Sequence, residues 1–273
     1  MAHSWEAFEN KAARRDLKLE ATRAMVSAAI EEGRVGLAFQ PIFRAGSRPL
    51  IAFHEGLIRI RDRAGRTMPA GEFIPAIENT PLVQEIDRIA LEKALDMLRA
   101  DPRQRLSVNI SMHTIGDEGW MNILTRACHD TPHIADRLIV EITESAPIED
   151  PAFVAYFMEK GHKLGCSFAI DDFGAGYTGF SHFRKYKFDM VKIDGQFIRD
   201  LPNNRDNQVL VEALVKIARQ FDMFTVAEFV ETAEESAFAQ KLGIDALQGY
   251  YHGRSAEMPI CLNTGAQVGA ALA

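Results

Sequence analysis

Two adjacent aspartates, Asp171 and Asp172, end an apolar run in the segment FAIDDFGAGYTGF (168–180). The following GAGYTG matches the G-x-G-x-x-G pattern of dinucleotide-binding loops, and Asp194 stands about twenty residues after Gly174, as in that fingerprint. A dinucleotide loop binds pyrophosphate on bare backbone N–H groups, however, and two aspartates directly before it would repel that ligand. The run is also about the fifth strand of the chain, whereas the fingerprint belongs to the first βαβ unit. We therefore interpret the aspartates as metal ligands and the glycines as a bend.

Polar residues also stand near the carboxyl ends of most other predicted strands. Strands of a parallel barrel are buried on both faces, and unpaired buried charges are costly, so such residues need an explanation. They are Glu55, Asn109, Glu141, Asp171, Asp172, Lys192, Glu228 and Gln248. A single strand-end aspartate is most often a cap or a turn residue. The same placement in seven strands favours one shared site at the mouth of a barrel, where the strand ends converge.

The types of these residues predict the metal. Carboxylate and amide oxygens suit Mg²⁺ or Mn²⁺, whereas zinc would require His or Cys. Five carboxylates exceed what one Mg²⁺ normally takes, so we expect two divalent ions. The charges agree with that number, because two divalent ions and Lys192 together balance five carboxylates. Paired ions about 3.5–4 Å apart are the usual arrangement for phosphoester hydrolysis.

Strand and helix patterns alternate along the chain and must position these residues. VGLAFQPIF (35–43) and IAFHEGLIRI (51–60) are separated by a turn-rich segment, which predicts an antiparallel pair. A helix is predicted from about Leu17 to Glu32, and six strand–helix units follow the hairpin. The alternation predicts one α/β domain and favours a barrel over an open sheet. The later strands are predicted at 105–111, 137–145, 166–173, 190–194, 224–231 and 246–252.

The composition is that of an ordinary globular protein, with 47% hydrophobic and 25% charged residues. The amino terminus lacks the apolar core of a secretory signal, and no apolar run is long enough for a membrane span. Three widely spaced cysteines suit free thiols in a reducing compartment, so we expect a cytoplasmic protein. A net charge of −7 argues against binding of polymeric nucleic acid but allows a small phosphate ligand.

The order and spacing of several motifs resemble those of the EAL-domain family, the cyclic-di-GMP-specific phosphodiesterases of bacteria. The motifs are AFQPIF, EGLIR (55–59), VNIS, EITES, DDFGAGY, VKID, AEFVET and LQGYYHGR. The similarity runs from about Leu17 to Arg254, which predicts an amino-terminal extension at 1–16, a barrel domain at 17–255 and a tail at 256–273. The resemblance implies a TIM-type (β/α)8 barrel whose first strand is antiparallel to the rest. It also implies hydrolysis of cyclic-di-GMP to linear pGpG.

The resemblance further implies a role for each matching residue. Glu55, Asn109, Glu141 and Asp171 would hold one ion, and Asp171, Asp172 and Glu228 would hold the second. Lys192 would stabilise the attacking water or the charge that develops on the phosphate. Gln40, Arg59 and Gln248 would contact the substrate, while Glu144, Asp194 and Glu231 would support the site. The segment FSHFRKYKF (180–188) corresponds to part of a dimer interface in this family, so a homodimer is expected.

Three residues depart from the family pattern. Gly56 replaces an alanine and is expected to face away from Glu55 at a small cost in stability, and Gly179 replaces a serine. Phe229 replaces a small glycine. Strand alternation predicts that Phe229 packs outward under the helices, so that Phe229→Gly would cost about 3–5 kcal/mol, whereas a bulge would bring its ring toward the second ion.

Two rival functions remain open on the sequence. One is a non-catalytic receptor for cyclic-di-GMP, although such proteins usually lose metal ligands that this chain keeps. The other is an unrelated metal-dependent barrel enzyme, such as an enolising one, which would explain the carboxylates but not the order of the motifs.

Overall fold

The structure is a computed structural model, and it describes residues 2–48, 50–143, 150–174 and 181–260. The side chains of residues 2–13, 181 and 182 lie outside that description. Nine strands form one sheet. They are β1 (Val35–Arg44), β2 (Ile51–Arg61), β3 (Thr67–Pro69), β4 (Leu106–Ile110), β5 (Leu138–Thr143), β6 (Ser167–Phe173), β7 (Met190–Ile193), β8 (Phe224–Ala227) and β9 (Ala246–Leu247).

The sheet closes on itself to form a barrel. Its strand order is β1-β9-β8-β7-β6-β5-β4-β2-β3, and an additional pairing between β1 and β2 completes a ring of eight strands that leaves β3 outside. β1 is antiparallel to both of its neighbours, β2 and β9. The other neighbouring strands of the ring are parallel. The predicted TIM-type barrel with an antiparallel first strand is confirmed.

Helices surround the barrel, and short polar residues begin several of them. They are α1 (Ala2–Glu31), α2 (Ile74–Ile77), α3 (Pro81–Ala100), α4 (Glu118–Asp130), α5 (Pro151–Leu164), α6 (Ser181–Lys185), α7 (Gly195–Ile198), α8 (Arg205–Gln220) and α9 (Ala233–Lys241). Asp117, Asp150 and Asn204 accept hydrogen bonds from first-turn N–H groups of α4, α5 and α8. Thr232 and Glu235 form a capping box at α9. These caps fix the residue at which each of the four helices begins.

The apolar core has an inner part inside the barrel and an outer part that consists of two separate clusters. The outer part fills the space between the strands and the helices and includes the fully buried Leu91, Leu98 and Leu124. The inner part is a small cluster formed by Ile42, Phe53, Ile139, Ala169, Met190, Val226 and Ala246. These strand residues fill the barrel interior below its mouth. The inward-facing residues nearer the carboxyl ends of the strands lie outside this apolar cluster, and most of them are polar.

The structure lengthens the predicted first helix and pairs the first residue of the predicted tail, while the bounds of the domain stay a prediction. α1 begins at Ala2, well before the predicted start at Leu17, because residues 2–16 are rich in helix-forming alanine, glutamate, lysine and arginine. Ala256, predicted as the first tail residue, pairs with Phe39 of β1 through two backbone hydrogen bonds of 2.6 and 3.0 Å. In the part of the chain that the structure describes, no helix has the length and apolar character needed to cross a membrane.

β8 and β9 are shorter than the predicted strands at 224–231 and 246–252. After Ala227 the backbone leaves the extended conformation, and Phe229 has a φ of +53°. After β9, Gly249 has a φ of +158°, and a Cβ built there would fall 2.1 Å from the carbonyl oxygen of Val230. The two segments therefore meet backbone to backbone at the mouth. This close approach overrides the strand propensity of their residues.

Candidate active site

Six of the predicted polar residues occupy equivalent positions on the inner face of the barrel. Each stands two residues after a member of the inner apolar cluster. The pairs are Phe53 and Glu55, Ile139 and Glu141, Ala169 and Asp171, Met190 and Lys192, Val226 and Glu228, and Ala246 and Gln248. Because side chains alternate along a strand, the four polar residues within strands share the inward face and lie one layer nearer the mouth. Glu228 and Gln248 directly follow β8 and β9 and contact the same layer, Glu228 through Lys192 and Gln248 through Glu55.

Lys192 is the centre of this polar layer. Its side chain is 0% exposed, and its Nζ lies 2.8 Å from Glu141 Oε2 and 2.8 Å from Asp171 Oδ1. The same atom lies 3.0 Å from Glu228 Oε1 and 3.3 Å from Glu55 Oε2. One buried lysine therefore faces four buried carboxyl groups, which come from β2, β5, β6 and the residue directly after β8.

Burial and mutual repulsion shift the pKa values of this cluster. The pKa of Glu141 rises to about 8, chiefly through burial, with Glu55 and Asp171 adding to the effect and Lys192 opposing it. Burial, then Asp171, raises the pKa of Glu228 well above its ordinary value. Burial opposes ionisation of Lys192, but the four carboxylates outweigh it and raise the lysine pKa. Lys192 therefore stays protonated near neutral pH, while the cluster has too little positive charge to ionise all its carboxyl groups.

Amide side chains hold Glu55 in place. Asn109 Nδ2 donates to Glu55 Oε1 at 2.9 Å, and Gln248 Nε2 donates to Glu55 Oε2 at 2.6 Å. Burial alone would raise the pKa of Glu55, but the charge of Lys192 and these two hydrogen bonds outweigh it and lower that pKa. Gln248 Nε2 also lies 3.3 Å from Gln40 Oε1, so the predicted substrate residues Gln40 and Gln248 adjoin the cluster.

Asp172 joins the cluster through an irregularity in β6. The pairing register of β6 with β7 shifts between Ile170 and Phe173, and Asp172 has a φ of +52°. A bulge of this kind redirects a side chain at a strand end. Burial and the neighbouring Asp171 raise the pKa of Asp172 to about 6. In a regular strand Asp171 and Asp172 would point to opposite faces of the sheet. The bulge removes this alternation, so both carboxylates belong to the same cluster.

The carboxylates form two groups that share Asp171. One group is Glu55, Glu141 and Asp171, and the other is Asp171, Asp172 and Glu228, with the oxygens within 4.8 Å of one another in each. Glu141 Oε1 and Glu228 Oε2 are buried and have no hydrogen-bond partner among the described residues. Buried carboxylate oxygens of this kind need cations or protons. The set of oxygen donors fits Mg²⁺ or Mn²⁺.

Arg59 and Gly56 lie on the same strand as Glu55. Arg59 is half-buried, its Nη2 donates to Ser255 Oγ at 3.3 Å, and burial lowers its pKa. A Cβ built on Gly56 would lie 3.1 Å from Ser107 O and 3.4 Å from a Leu37 methyl group. Gly56 thus stands where β2 and β4 approach closely. This contact explains why the residue is glycine, whereas the sequence predicted only a small loss of stability at this position.

The predicted supporting residues fall in different places. Asp194 caps α7, accepting a hydrogen bond from the Gln196 N–H at 2.9 Å, which is a structural role and not that of a ribose-binding acid. The Glu231 side chain is exposed, while its N–H donates to Glu235 Oε2 at 2.9 Å. Glu144 and Gly179 lie outside the described residues.

The expectation for Phe229 is wrong. Its side chain is 46% exposed and does not lie in the apolar layer under the helices. Strand alternation does not reach it, because β8 ends at Ala227. A left-handed φ costs a residue other than glycine about 1–2 kcal/mol. Phe229→Gly would relieve that cost while removing a half-exposed ring, so the predicted loss of 3–5 kcal/mol does not apply.

The sequence patterns did not predict α7, which lies beside the cluster. Gln196 Nε2 donates to Gly174 O at 2.9 Å, two residues after Asp172. Phe197 packs beside Gly174, where a built Cβ would fall 2.3 Å from its ring. The signal that could have revealed this helix is Asp194, an N-cap residue directly after the β7 pattern.

A barrel that gathers buried carboxylates at the carboxyl ends of its strands belongs to the class of α/β barrel proteins with a functional site at the mouth. The model of the EAL domain family matches residues 23–255. The chain belongs to the EAL-domain family.

Relatives and solved structures agree with this assignment. The chain is 33% identical over 233 residues to cyclic di-GMP phosphodiesterase PdeB of Shewanella oneidensis, which covers 84% of this chain and 27% of that protein. It is 31% identical over 272 residues to the probable cyclic di-GMP phosphodiesterase PdeA of Escherichia coli, and that match covers 92% of this chain and 36% of PdeA. The PaMucR phosphodiesterase in complex with c-di-GMP has a TM-score of 0.78 at 27% identity, covering 86% of this chain and 97% of that one. The chain therefore spans about a third of the length of these curated relatives.

Proposed function

We propose that this chain hydrolyses cyclic-di-GMP to linear pGpG with the help of two divalent ions, Mg²⁺ or Mn²⁺. The observation that carries the proposal is the pair of carboxylate groups that share Asp171 at the mouth of an EAL barrel. The names of the relatives support the reaction, and the bound ligand of PaMucR supports the substrate. Since cyclic-di-GMP is a bacterial second messenger, we place the activity in the cytoplasm.

The carboxylates would divide between two ions. Glu55, Asn109, Glu141 and Asp171 would hold one ion, and Asp171, Asp172 and Glu228 would hold the other. Divalent ions in such a site neutralise phosphate oxygens and lower the pKa of water. Two divalent ions and Lys192 would carry five positive charges, which equals the charge of five ionised carboxylates. This balance would offset the repulsion from Glu55 and Asp171, which adds to burial in raising the Glu141 pKa.

The other side chains would bind the substrate and stabilise charge. Lys192 stays protonated because of its carboxylate neighbours, so it can stabilise negative charge that develops on the attacked phosphate. Gln40, Arg59 and Gln248 would contact the dinucleotide at the rim, where the planar guanidinium of Arg59 can donate two parallel hydrogen bonds. The reaction consumes one water and breaks one phosphorus–oxygen bond, which opens the cyclic dinucleotide.

A turnover assay with purified protein tests the proposal. We expect conversion of cyclic-di-GMP to pGpG with Mg²⁺ or Mn²⁺ and none with a chelator. Glu55→Gln should abolish turnover while the protein stays folded, because it removes one charge from a set of oxygen ligands at unchanged shape. The control is Glu92→Gln, which changes an exposed glutamate on α3 and should keep parental activity. Binding of cyclic-di-GMP without hydrolysis would instead establish the receptor function.

We further propose that two copies of the barrel domain, residues 17–255, pair with each other. Support comes from exposed apolar residues near α6 and α8. Phe221 is 40% exposed, and its ring centroid lies 6.1 Å from that of Phe183. Val209 and Leu210 on α8 are also exposed. Light scattering should give twice the chain mass at micromolar concentration, and the mass of a single chain would contradict the pairing.

A further inference from the structure

Phe229 directly follows Glu228 and has an unusual backbone conformation. Its φ of +53° lies in the left-handed region, which side chains other than glycine rarely occupy. Such conformations persist where surrounding contacts hold them, and they occur preferentially at functional sites. The contacts that hold Phe229 therefore also constrain the adjacent Glu228.

The side chain of Phe229 lies over both ends of α7. A Cβ built on Gly195 would fall 2.7 Å from Phe229 Cβ and 2.8 Å from its Cγ, so the ring rests where only glycine fits. At the other end, Arg199 Cζ is 5.6 Å from the ring centroid, within the range of a cation–π contact. The Glu228 N–H donates to Ile193 O at 3.1 Å, which ties the same stretch to β7.

α7 in turn contacts the backbone that follows Asp172. Gln196 donates to the Gly174 carbonyl at 2.9 Å, and Phe197 fills the space beside Gly174. α7 thus touches Phe229 on one side and the residue two positions after Asp172 on the other. Glu228 and Asp172 are joined by one continuous set of packed residues.

We propose that Phe229 is a positioning residue for the acidic group formed by Asp171, Asp172 and Glu228. The ring presses on α7, and α7 holds Gly174, so together they set the spacing between Glu228 and Asp172 at two different strand ends. This inference rests on the proposed function, in which that group holds the second ion. The ion at Glu55 depends on β2, β4 and β5 as well, and its affinity is expected to change little.

Mn²⁺ titration of the purified chain without substrate, by calorimetry and by electron paramagnetic resonance, measures the effect directly. The parent should bind two ions. Phe229→Ala removes the ring and should weaken one ion about tenfold or more, while the other stays within about threefold, as for other residues that orient metal ligands. Phe229→Tyr keeps the ring and should bind both ions as the parent does. In turnover assays Phe229→Ala should need correspondingly more Mn²⁺ for half-maximal rate, with kcat recovering at saturation.

The matched control is Tyr156→Ala, which removes an aromatic side chain of similar exposure from α5 and should leave both affinities unchanged. Phe229→Leu replaces Phe229→Ala if the alanine variant does not fold. Parental affinity for both ions in Phe229→Ala would overturn the inference. Equal weakening of both ions, or a lower melting temperature alone, would also overturn it, because either shows a purely structural role.

The parent separates this inference from the proposed function. A parent that binds two Mn²⁺ ions but does not cleave cyclic-di-GMP refutes the phosphodiesterase, while the comparison of Mn²⁺ affinities still decides the role of Phe229. A parent that binds fewer than two ions refutes both.

Discussion

Replacing Lys192 with methionine removes the cation that four buried carboxyl groups share in the described part of the chain. The Lys192 Nζ lies within 2.8–3.3 Å of an oxygen from each of Glu55, Glu141, Asp171 and Glu228, and methionine keeps a similar apolar stem. Removing one partner of a buried ion pair costs about 3–5 kcal/mol, because an uncompensated charge stays behind. We expect the free energy of unfolding of the metal-free variant to fall by about that amount.

The loss should depend on pH. Without Lys192, Glu141 loses the positive charge that opposes the effect of burial, so its pKa rises further above the already raised value of about 8. Groups whose pKa is raised in the folded state stabilise it at low pH and lose that contribution as pH increases through the folded pKa. Lys192→Met should therefore be nearly as stable as the parent at pH 5 and clearly less stable at pH 8.5.

Urea unfolding and thermal melting in the presence of a chelator measure this effect. A change of 1 kcal/mol shifts the melting temperature by about 2–4 °C in a domain of this size, so a drop of about 10 °C is expected at pH 8.5. Millimolar Mn²⁺ should raise the melting temperature of the variant more than that of the parent, because the ion replaces the missing charge. The control is Lys93→Met at an exposed position on α3. Equal stability of Lys192→Met and the parent at pH 8.5 without metal would refute this account of the cluster.

Asp87→Asn should stabilise the protein at pH 8 but not at pH 4. Burial raises the pKa of Asp87 to about 7. The free energy of unfolding of the parent therefore falls by roughly 4 kcal/mol as pH increases from 4 to 8, a loss that asparagine avoids. Urea unfolding of both proteins at the two pH values measures this difference. Gly56→Ala should lower stability by about 1 kcal/mol without changing kcat, because the new Cβ would lie 3.1 Å from Ser107 O; a more stable variant would contradict this close approach. Asp171→Asn should weaken binding of both Mn²⁺ ions in titrations, because Asp171 belongs to both carboxylate groups, and a loss confined to one ion would exclude a bridging role.

Much of the site followed from the amino-acid sequence because strand alternation is a local property of the backbone. Glu55, Glu141, Asp171 and Lys192 each stand in a strand two positions after an inward apolar residue, so the face on which their side chains lie could be predicted without knowing their neighbours. The alternation of strands and helices likewise predicted the barrel, whose topology brings the strand ends to one mouth. Residue type then predicted oxygen ligands for divalent ions.

The tertiary structure alone decided what happens where the strands end. Phe229 stands beyond the last residue of β8 with its ring against Gly195, and Asp172 turns toward the cluster through a bulge against β7. The four contacts of Lys192 likewise depend on four strands meeting at one height. These features arise from contacts between segments far apart in the chain, and local propensity carries no information about such contacts.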